Sequence, residues 1–222
     1  MGIYMVLIGV QGAGKGTQAK FLVEKFGIPH VSTGDLFRAM KTQDTPLARE
    51  VQAIMNAGNL VPDDITNRMV EERLKEPDTQ NGVIFDGYPR NVVQAEWLDK
   101  KLAERNQRIV IVPVLELDRE IAIMRAEGRR YSQDKSRVYN IYFNQPLNKK
   151  DGVWVDDVDG QPLIQREDDY RESVEKRIDL YFKETVPLIE YYTVQGLVKK
   201  IDASQRIEAV AQSLIQAVEE AK

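Results

Sequence analysis

A glycine-rich loop that contains one lysine follows directly on an apolar run near the start of the sequence. The loop, residues 9–17, reads GVQGAGKGT and separates the apolar residues 3–8 from an amphipathic segment that begins at Lys15. Glycines let the backbone turn several N–H groups toward one anion, while the following helix contributes its positive end and Lys15 a full charge. A strand, a loop and a helix in this order predict a site for the β- and γ-phosphates of a nucleoside triphosphate.

The residue after the lysine departs from the general phosphate-loop pattern. The hydroxyl that usually follows the lysine is displaced by one position, since Gly16 precedes Thr17. The alternative interpretation is a strand-to-helix turn that is rich in glycine for purely local reasons. The flanking apolar run and amphipathic segment favour the phosphate site over that alternative.

A second polar cluster ends another apolar run. Residues 83–85 are Val-Ile-Phe, and Asp86-Gly87-Tyr88-Pro89-Arg90 follow them. A carboxylate at the end of a buried strand beside a phosphate loop is suited to hold Mg²⁺, directly or through water. The glycine and the proline form a turn that directs Arg90 toward the cleft. We therefore expect Mg²⁺ near Thr17 and Asp86, with a helix N-cap as the alternative role of Asp86.

Arginines lie on both sides of a polar stretch, residues 131–165. Phosphoryl transfer needs positioning and charge stabilisation more than covalent chemistry, and guanidinium groups match phosphate oxygens while keeping their charge. Any one of these arginines alone is explained as a solvated surface residue. Their placement around one stretch favours a segment that closes on phosphates. The arginines are Arg38 further upstream, Arg125, Arg129 and Arg130 before the stretch, and Arg166 and Arg177 after it.

Apolar runs and helical patterns alternate along the chain. The runs are residues 3–8, 83–85, 109–117 and 197–201, and the helical patterns are 62–76, 91–104, 168–182 and 204–221, the last with Ser204 as N-cap. This alternation predicts an α/β fold with a parallel sheet covered on both faces, whose ligands lie beyond the carboxyl ends of the strands. Residues 32–61, with short helical pieces, and residues 131–165, with many turn residues, interrupt the alternation, and the latter predict a small β-rich insertion.

The composition excludes several classes of protein. The 222 residues suffice for one sizeable core, and a net charge of −4 argues against a general nucleic-acid binder. The absence of cysteine excludes disulfides, thiolate metal sites and thiol catalysis. No apolar run reaches the length of a membrane span, and a core strand at the very start leads us to expect no targeting peptide and a cytoplasmic location.

The single histidine, His30, is expected to be structural. A reaction without a protein general base is therefore favoured. Transfer to a nucleoside monophosphate meets that requirement, because such an acceptor is already largely a dianion at neutral pH.

Three motifs, taken together and in this order, resemble the adenylate kinase family over essentially the whole chain. They are GKGT at residues 14–17, Ser32-Thr33-Gly34-Asp35 followed by Arg38, and Asp86 to Arg90 followed by Gln94. The resemblance implies a P-loop three-layer α/β fold, one nucleotide kinase domain with a five-stranded parallel sheet. Its core would comprise residues 1–31, 62–127 and 170–222, with a nucleoside-monophosphate-binding insertion at 32–61 and a small β-rich lid at 128–169.

The resemblance also implies an activity, the reversible transfer of the γ-phosphoryl group of MgATP to AMP, giving two ADP, by a monomer. It assigns catalysis to Lys15, Arg90, Arg129, Arg166 and Arg177. It assigns ATP binding to Gly12, Ala13, Gly14, Lys15, Gly16, Thr17, Arg125, Arg129, Val138, Tyr139 and Gln205. It assigns AMP binding to Thr33, Arg38, Asn59, Leu60, Val61, Gly87, Tyr88, Pro89, Arg90, Gln94, Arg166 and Arg177.

The base specificities rest on different evidence. The amide of Gln94 offers a donor and an acceptor side by side, which matches the Watson–Crick edge of adenine and favours AMP as the acceptor. The donor base rests on stacking and backbone contacts, and Asp202-Ala203 stands where the family often has Asp-Gly. A GTP:AMP phosphotransferase of the same fold therefore remains an alternative. A non-catalytic nucleotide-sensing module and a motor-type ATPase are further alternatives, which the full set of cationic residues and the acidic balance disfavour.

The lid departs from the zinc-binding members of the family. Ser132, Lys135, Asp156 and Asp159 stand at the positions of their four cysteines, so no thiolate zinc site is possible. We expect hydrogen bonds and an ion pair between Lys135 and a carboxylate to hold this segment instead.

Overall fold

The structure, a computed structural model, describes residues 2–56 and 61–221. In chain order the elements are β1 (Ile3–Gly9), α1 (Lys15–Phe26), β2 (His30–Ser32), α2 (Thr33–Met40), α3 (Pro46–Asn56), α4 (Asp63–Leu74), β3 (Gly82–Asp86), α5 (Val92–Ala103), β4 (Ile109–Glu116), α6 (Arg119–Glu127), β5 (Arg129–Tyr131), β6 (Val138–Asn140), β7 (Lys149–Lys150), β8 (Val153–Trp154), α7 (Arg171–Leu180), α8 (Val186–Thr193), β9 (Val198–Asp202) and α9 (Ile207–Glu220). Short 3₁₀ turns at Pro77–Thr79 and Glu167–Asp169 and a π-helical turn at Tyr181–Thr185 complete the list.

The central sheet has five parallel strands in the order β2-β3-β1-β4-β9. Its register places Ser32 and Leu7 on either side of Asp86, and Gly9 beside Leu115. The carboxyl ends of parallel strands meet at one edge of a sheet. The phosphate loop after Gly9 and the segment after Asp86 therefore lie side by side, and the predicted fold class is confirmed.

Helices cover both faces of the sheet, because side chains alternate along each strand. In β1, Met5 and Leu7 pack on one face with α1, α6, α7 and α9, whereas Tyr4, Val6 and Ile8 pack on the other with α4, α5 and α8. All five side chains are almost completely buried. Burial on both faces explains why this strand is a continuous apolar run in the sequence.

Two excursions leave the sheet at its carboxyl edge. The first, α2 and α3, packs against α4 through a separate apolar cluster around Val51, Ile65 and Met69. The second contains the antiparallel pairs β5–β6 and β7–β8. Isolated β-bridges, such as that between Tyr131 and Ile164, connect these strands to the chain that follows them. Residues 138–142 alternate in polarity within the predicted β-rich insertion, but β6 ends at Asn140, whose side chain accepts the backbone N–H of Tyr142 and forms a turn.

The C-terminal helices differ in detail from the predicted ones. The helix predicted over 168–182 begins in the structure only at Arg171, as α7, and it continues through the π-helical turn into α8. Pro187 lacks a backbone N–H and its ring excludes a carbonyl from the α-helical position, so the wider turn precedes it. The predicted N-cap Ser204 is wrong, because its hydroxyl bonds Asp202 in a turn and α9 begins at Ile207.

Among the described helices, none combines the length and the apolar composition that crossing a membrane requires.

Candidate active site

The phosphate loop has a backbone that only glycine allows at its tightest point. Gly12 and Gly14 have φ angles of 91° and 89°, in the left-handed region that other residues rarely adopt. A Cβ atom on Gly12 would lie 2.3 Å from the carbonyl oxygen of Ala122. The loop thus packs directly on α6, while Gly14 caps α1 and aims the start of this helix at the open end of the loop. Ala13 is buried, and Gly16 and Thr17 are exposed at that end.

Lys15 lies at the centre of a cluster of charges. Its Nζ donates to the carbonyl oxygen of Gly9 at 2.7 Å, which turns the side chain back over the loop. Burial lowers the pKa of Lys15, Asp86 opposes this effect, and the charges of Arg177, Arg129 and Arg90 lower the pKa further. Three of the predicted catalytic arginines therefore share one electrostatic environment with the predicted phosphate-binding lysine.

Asp86 is held at the end of β3 by the only histidine of the sequence. The Nε2 of His30, on the neighbouring strand β2, lies 3.1 Å from Oδ2 of Asp86. Burial by itself raises the pKa of Asp86, but the hydrogen bond from His30 and the charges of Lys15 and Arg90 leave the pKa below its ordinary value. The carboxylate is thus ionised at neutral pH. An ionised carboxylate with a nearby threonine hydroxyl on the loop is the donor set that Mg²⁺ accepts when phosphates and water supply the remaining oxygens.

The turn after Asp86 is joined to the first excursion. The buried hydroxyl of Thr33 donates to the carbonyl oxygen of Gly87 at 2.8 Å, and Nε of Arg90 donates to the same oxygen at 2.9 Å. Gly87 has a φ of 71°, which lets its carbonyl face both donors. Tyr88 is buried, with its hydroxyl donating to Asn67, and Pro89 is buried beside it.

The remaining residues predicted for AMP are spread around this turn. Arg38 bonds Asp35 one helical turn before it. Gln94 is only 3% exposed and bonds the backbone of Arg90. Val61 packs at the edge of the cluster under the first excursion. Asn59 and Leu60 lie outside the described residues.

Acidic residues at the 3₁₀ turn before α7 hold two of the arginines. Arg129 donates two hydrogen bonds to the fully buried Asp169, and Arg177 donates to Asp168 at 2.6 Å. Arg166 instead stacks on the ring of Tyr131, with its guanidinium carbon 3.9 Å from the ring centroid. These contacts orient three guanidinium groups that the sequence distributes over nearly fifty positions.

Both excursions contribute to the same cleft. Burial raises the pKa of Asp168, but the charges and hydrogen bond of Arg177, with Arg129 and Arg38, leave it below the ordinary value. Burial likewise raises the pKa of Tyr131, and this effect exceeds the opposing effect of the charges of Arg129, Arg166 and Arg38, which lower it. Arg38 belongs to α2, whereas Tyr131 belongs to β5. The structure therefore brings together Lys15, Arg38, Arg90, Arg129, Arg166 and Arg177 from separate segments.

The residues predicted for the donor base form a looser group. Arg125 donates to the carbonyl oxygen of Ala203 at 2.8 Å and lies over the ring of Phe143. Val138 and Tyr139 pair with Tyr131 and Arg130 across β5 and β6. Gln205 is exposed, and its side-chain amide donates to the backbone oxygen of Asp202 at 3.4 Å and interacts with the Asp202 carboxylate.

The predicted ion pair of Lys135 is wrong. Within residues 2–56 and 61–221, no carboxylate lies within 4.0 Å of its ammonium group, which is exposed on a turn with a backbone φ of 61°. Arg137 takes this role instead, because it lies two residues further on and its side chain points between Asp156 and Asp159. Ser132 completes the group, since its hydroxyl accepts the N–H of Arg137 and donates to Asp134.

Several residues that position the site were missed by the sequence analysis. They include His30 as the partner of Asp86, and Asp168 and Asp169 as the partners of the arginines. Gln11 on the phosphate loop also donates to Asp169, at 3.1 Å, and to the carbonyl oxygen of Asp168. Local spacing gave no signal for these contacts, because each joins residues nine or more positions apart.

The known proteins that this chain is similar to belong to one family. The sequence model of the family described as "Adenylate kinase" matches residues 7–197. The chain is 45% identical to an adenylate kinase of Carboxydothermus hydrogenoformans over 97% of this chain and 99% of the relative. It is 45% identical to one of Caldanaerobacter subterraneus, over 96% and 95%, and 43% identical to one of Moorella thermoacetica, over 93% of each. The matches span the phosphate loop, the turn after Asp86 and the arginines that surround them, and on this evidence the chain belongs to the adenylate kinase family.

Proposed function

We propose that the protein transfers the γ-phosphoryl group of MgATP reversibly to AMP, giving two ADP. The observation that carries the proposal is the convergence of Lys15, Arg90, Arg129 and Arg177 around the phosphate loop. Four cations in one cleft are far more than a single mononucleotide needs, and they suit two phosphate chains that meet end to end. Membership of the adenylate kinase family supports the same conclusion.

The phosphate loop is the donor side of this proposal. The backbone N–H groups of residues 12–17, the start of α1 and the ammonium group of Lys15 hold the β- and γ-phosphates. Arg125 covers the donor base, a role supported by its position over Phe143 and against the backbone of Ala203. Val138, Tyr139 and Gln205 flank this base.

The turn after Asp86 is the acceptor side. Arg38 and Arg90 bind the phosphate of AMP, since Arg38 on α2 and Arg90 on the turn lie on two walls of the cleft and guanidinium groups match phosphate oxygens. Thr33, the backbone of residues 59–61, the turn 87–90 and Gln94 surround the nucleoside. The hydrogen bond from Thr33 to Gly87 supports this assignment because it joins the two walls.

Transfer itself depends on charge stabilisation by Arg129, Arg166 and Arg177, without a protein general base. The only histidine is occupied by Asp86, and the acceptor phosphate is already largely a dianion. Each arginine compensates charge that develops on the transferring group. The first and second excursions close over the bound nucleotides, and closure keeps water from accepting the phosphoryl group.

The side chains of Asp86 and Thr17 would hold Mg²⁺, together with phosphate oxygens and water. When bound, the ion neutralises charge on the phosphates and orients them for in-line transfer. The lowered pKa of Asp86 supports this assignment, because the carboxylate stays ionised throughout the physiological range.

Simple experiments distinguish two alternative functions from the proposed ATP:AMP phosphoryl transfer. A GTP:AMP phosphotransferase of the same fold would show higher kcat/KM with GTP than with ATP, and competition between the two donors tests this. A non-catalytic nucleotide-sensing module would bind nucleotide and form no product. The complete set of loop, lysine and arginines favours catalysis over sensing. We further propose that the protein acts in the cytoplasm as a monomer, which size-exclusion chromatography with light scattering tests.

The decisive experiment measures ADP formation from ATP, AMP and Mg²⁺ in a coupled assay, with and without a chelator. Multiple turnovers that require all three components support the proposal. Binding of a dinucleotide with two adenosines joined by five phosphates provides a second, independent readout. A well-folded protein that binds ATP but forms no ADP from AMP would contradict the proposed function.

A further inference from the structure

The amide of Gln94 is fixed in one orientation by its surroundings. Its oxygen accepts the backbone N–H of Arg90 at 2.8 Å, and its nitrogen donates to Oδ1 of Asp63 at 2.6 Å. A backbone N–H only donates and an ionised carboxylate only accepts. If the amide turned over, two donors would face each other at Arg90 and two acceptors would face each other at Asp63. Gln94 is only 3% exposed, so water does not relieve such mismatches.

Asp63 is itself held in place by a second amide. Asn91 donates to Oδ2 of Asp63 at 3.0 Å, and the oxygen of the same amide accepts the backbone N–H of Gln94 at 2.9 Å as the N-cap of α5. A turn of the Asn91 amide would therefore cost the helix its cap. The carboxylate, which begins α4, bridges two amides whose orientations are both determined. The four residues form a closed network with one allowed arrangement of donors and acceptors.

The fixed orientation has a consequence for base recognition. After these bonds, the Gln94 amide keeps one N–H and one oxygen lone pair for a ligand. Adenine presents an amino donor beside a ring-nitrogen acceptor, whereas guanine presents a carbonyl acceptor beside a ring N–H donor. A freely turning amide satisfies either edge, but an amide fixed at both ends satisfies only one of them. A site with buried polar groups discriminates strongly against a ligand that leaves those groups unpaired.

We propose that Asp63 is a specificity-determining positioning residue, which fixes the Gln94 amide so that the acceptor pocket takes an adenine edge in preference to a guanine edge. The inference rests on the proposed function, since it assumes that the nucleoside beside Gln94 is the phosphoryl acceptor. Asp63 does not touch the base in this proposal. It acts through Gln94, and its effect is confined to the acceptor side.

The test compares initial rates with AMP and GMP as acceptors, at saturating ATP, for the wild type and Asp63→Asn. Asparagine keeps the shape of the side chain but has one acceptor oxygen for two donors, Gln94 and Asn91, so the network no longer has a single satisfied arrangement that fixes the Gln94 amide. We expect the preference of kcat/KM for AMP over GMP to fall about tenfold or more, the effect of one hydrogen bond. The KM for AMP rises, while the KM for ATP stays at the wild-type value.

Asp64→Asn is the matched control. It removes the same charge from the first turn of the same helix, but Asp64 is exposed, and its side chain makes no hydrogen bond within the described residues. Its AMP preference is expected to equal that of the wild type. Thermal melting establishes that each variant is folded, and Asp63→Ser, which removes both carboxylate oxygens, provides a second variant with the same expected loss.

Folded Asp63 variants with the wild-type preference for AMP would overturn the inference while the proposed function stands. An equal loss in Asp64→Asn would also overturn it, because the effect would then belong to the charge at the helix start. A wild type that forms no ADP from AMP would instead remove the proposed function, and this inference with it.

Discussion

Arg137 donates from Nε to Oδ2 of Asp156 at 2.8 Å, and the side chain of Asp156 has no exposed surface. A buried carboxylate without a partner is strongly unfavourable, so this pair ties β6 to the chain that follows β8. The same guanidinium reaches Asp159 at 2.9 Å. A single arginine thus joins the turn before β6 to the turn that follows β8.

The variant Arg137→Met is expected to loosen this excursion without unfolding the sheet. It leaves the buried carboxylate of Asp156 without its cation, whereas Lys135→Met removes a charge that has no carboxylate partner among the described residues. Backbone amides of residues 131–164 should exchange with solvent about tenfold faster in Arg137→Met, and at the wild-type rate in Lys135→Met. Hydrogen exchange followed by mass spectrometry measures both. The opposite ranking of the two variants would restore Lys135 as the stabilising residue.

Acid should weaken the same region through Asp134. Hydrogen bonds from Ser132 and Ser136 lower the pKa of this carboxyl from 3.8 to about 2. A pKa that is lower in the folded state gives stability that is present above the unfolded value and is lost as the pH falls through the folded value. The wild type should therefore melt at a higher temperature than Asp134→Asn at pH 6, and the difference should shrink between pH 4 and pH 2. A difference that is constant over this range would contradict the assignment.

The parts of the fold that depend on local pattern could be predicted from the sequence. The strand before the phosphate loop, the turn after Asp86 and the major helices each have periodicity or glycine placement that determines their type. The alternation of elements predicted a parallel sheet covered by helices, whereas the order of its strands comes only from the structure. Lys15 and Arg90 could be expected at one edge of the sheet, because their motifs follow strands that turn out to be neighbours.

The parts of the fold and of the site that depend on contacts between distant residues could not be predicted from the sequence. Nothing in the sequence distinguishes Lys135 from Arg137 as the partner of Asp156, because the choice depends on which side chain points inward from a turn. The pairing of Arg129 with Asp169 joins residues 40 positions apart, and the contact of His30 with Asp86 spans 56. Sequence spacing contains no information about such pairs unless relatives are compared.

Gly12→Ala should lower the free energy of unfolding more than Gly160→Ala, although both glycines have a positive φ. Gly160 also has a positive φ, 69°, but a Cβ there meets nothing within 4 Å. Alanine at 160 should cost about 1–2 kcal/mol, the price of a left-handed conformation. Alanine at 12 adds a 2.3 Å approach to the backbone of Ala122, so the loop must move. Urea unfolding should show a larger loss of unfolding free energy for Gly12→Ala than for Gly160→Ala, and Gly12→Ala should no longer bind ATP. Equal losses for both variants would contradict the packing argument.

Arg90→Ala should abolish most of the activity with little change in stability. The side chain is exposed in the cleft, and its one hydrogen bond within the described residues goes to the backbone of Gly87. Loss of a cation that compensates charge in phosphoryl transfer costs roughly 10³-fold or more in rate. The control is Arg108→Ala, an exposed arginine that precedes β4 at the opposite edge of the sheet. Steady-state rates and melting curves check both variants, and near-wild-type turnover in Arg90→Ala would argue against the acceptor-side assignment.

Gln11→Ala should lower kcat through Arg129, although Gln11 itself carries no charge. The Gln11 amide donates to both Asp168 and Asp169, and Asp169 in turn accepts both hydrogen bonds of Arg129. Without the amide, the 3₁₀ turn is released from the phosphate loop and the guanidinium is less well positioned. We expect a fall in kcat of about tenfold, the size of one or two net hydrogen bonds, with the KM for AMP unchanged. Gln216→Ala is the control, because among the described residues that amide donates only to the exposed Glu220. A wild-type kcat in Gln11→Ala would show that Asp169 holds Arg129 without help from the loop.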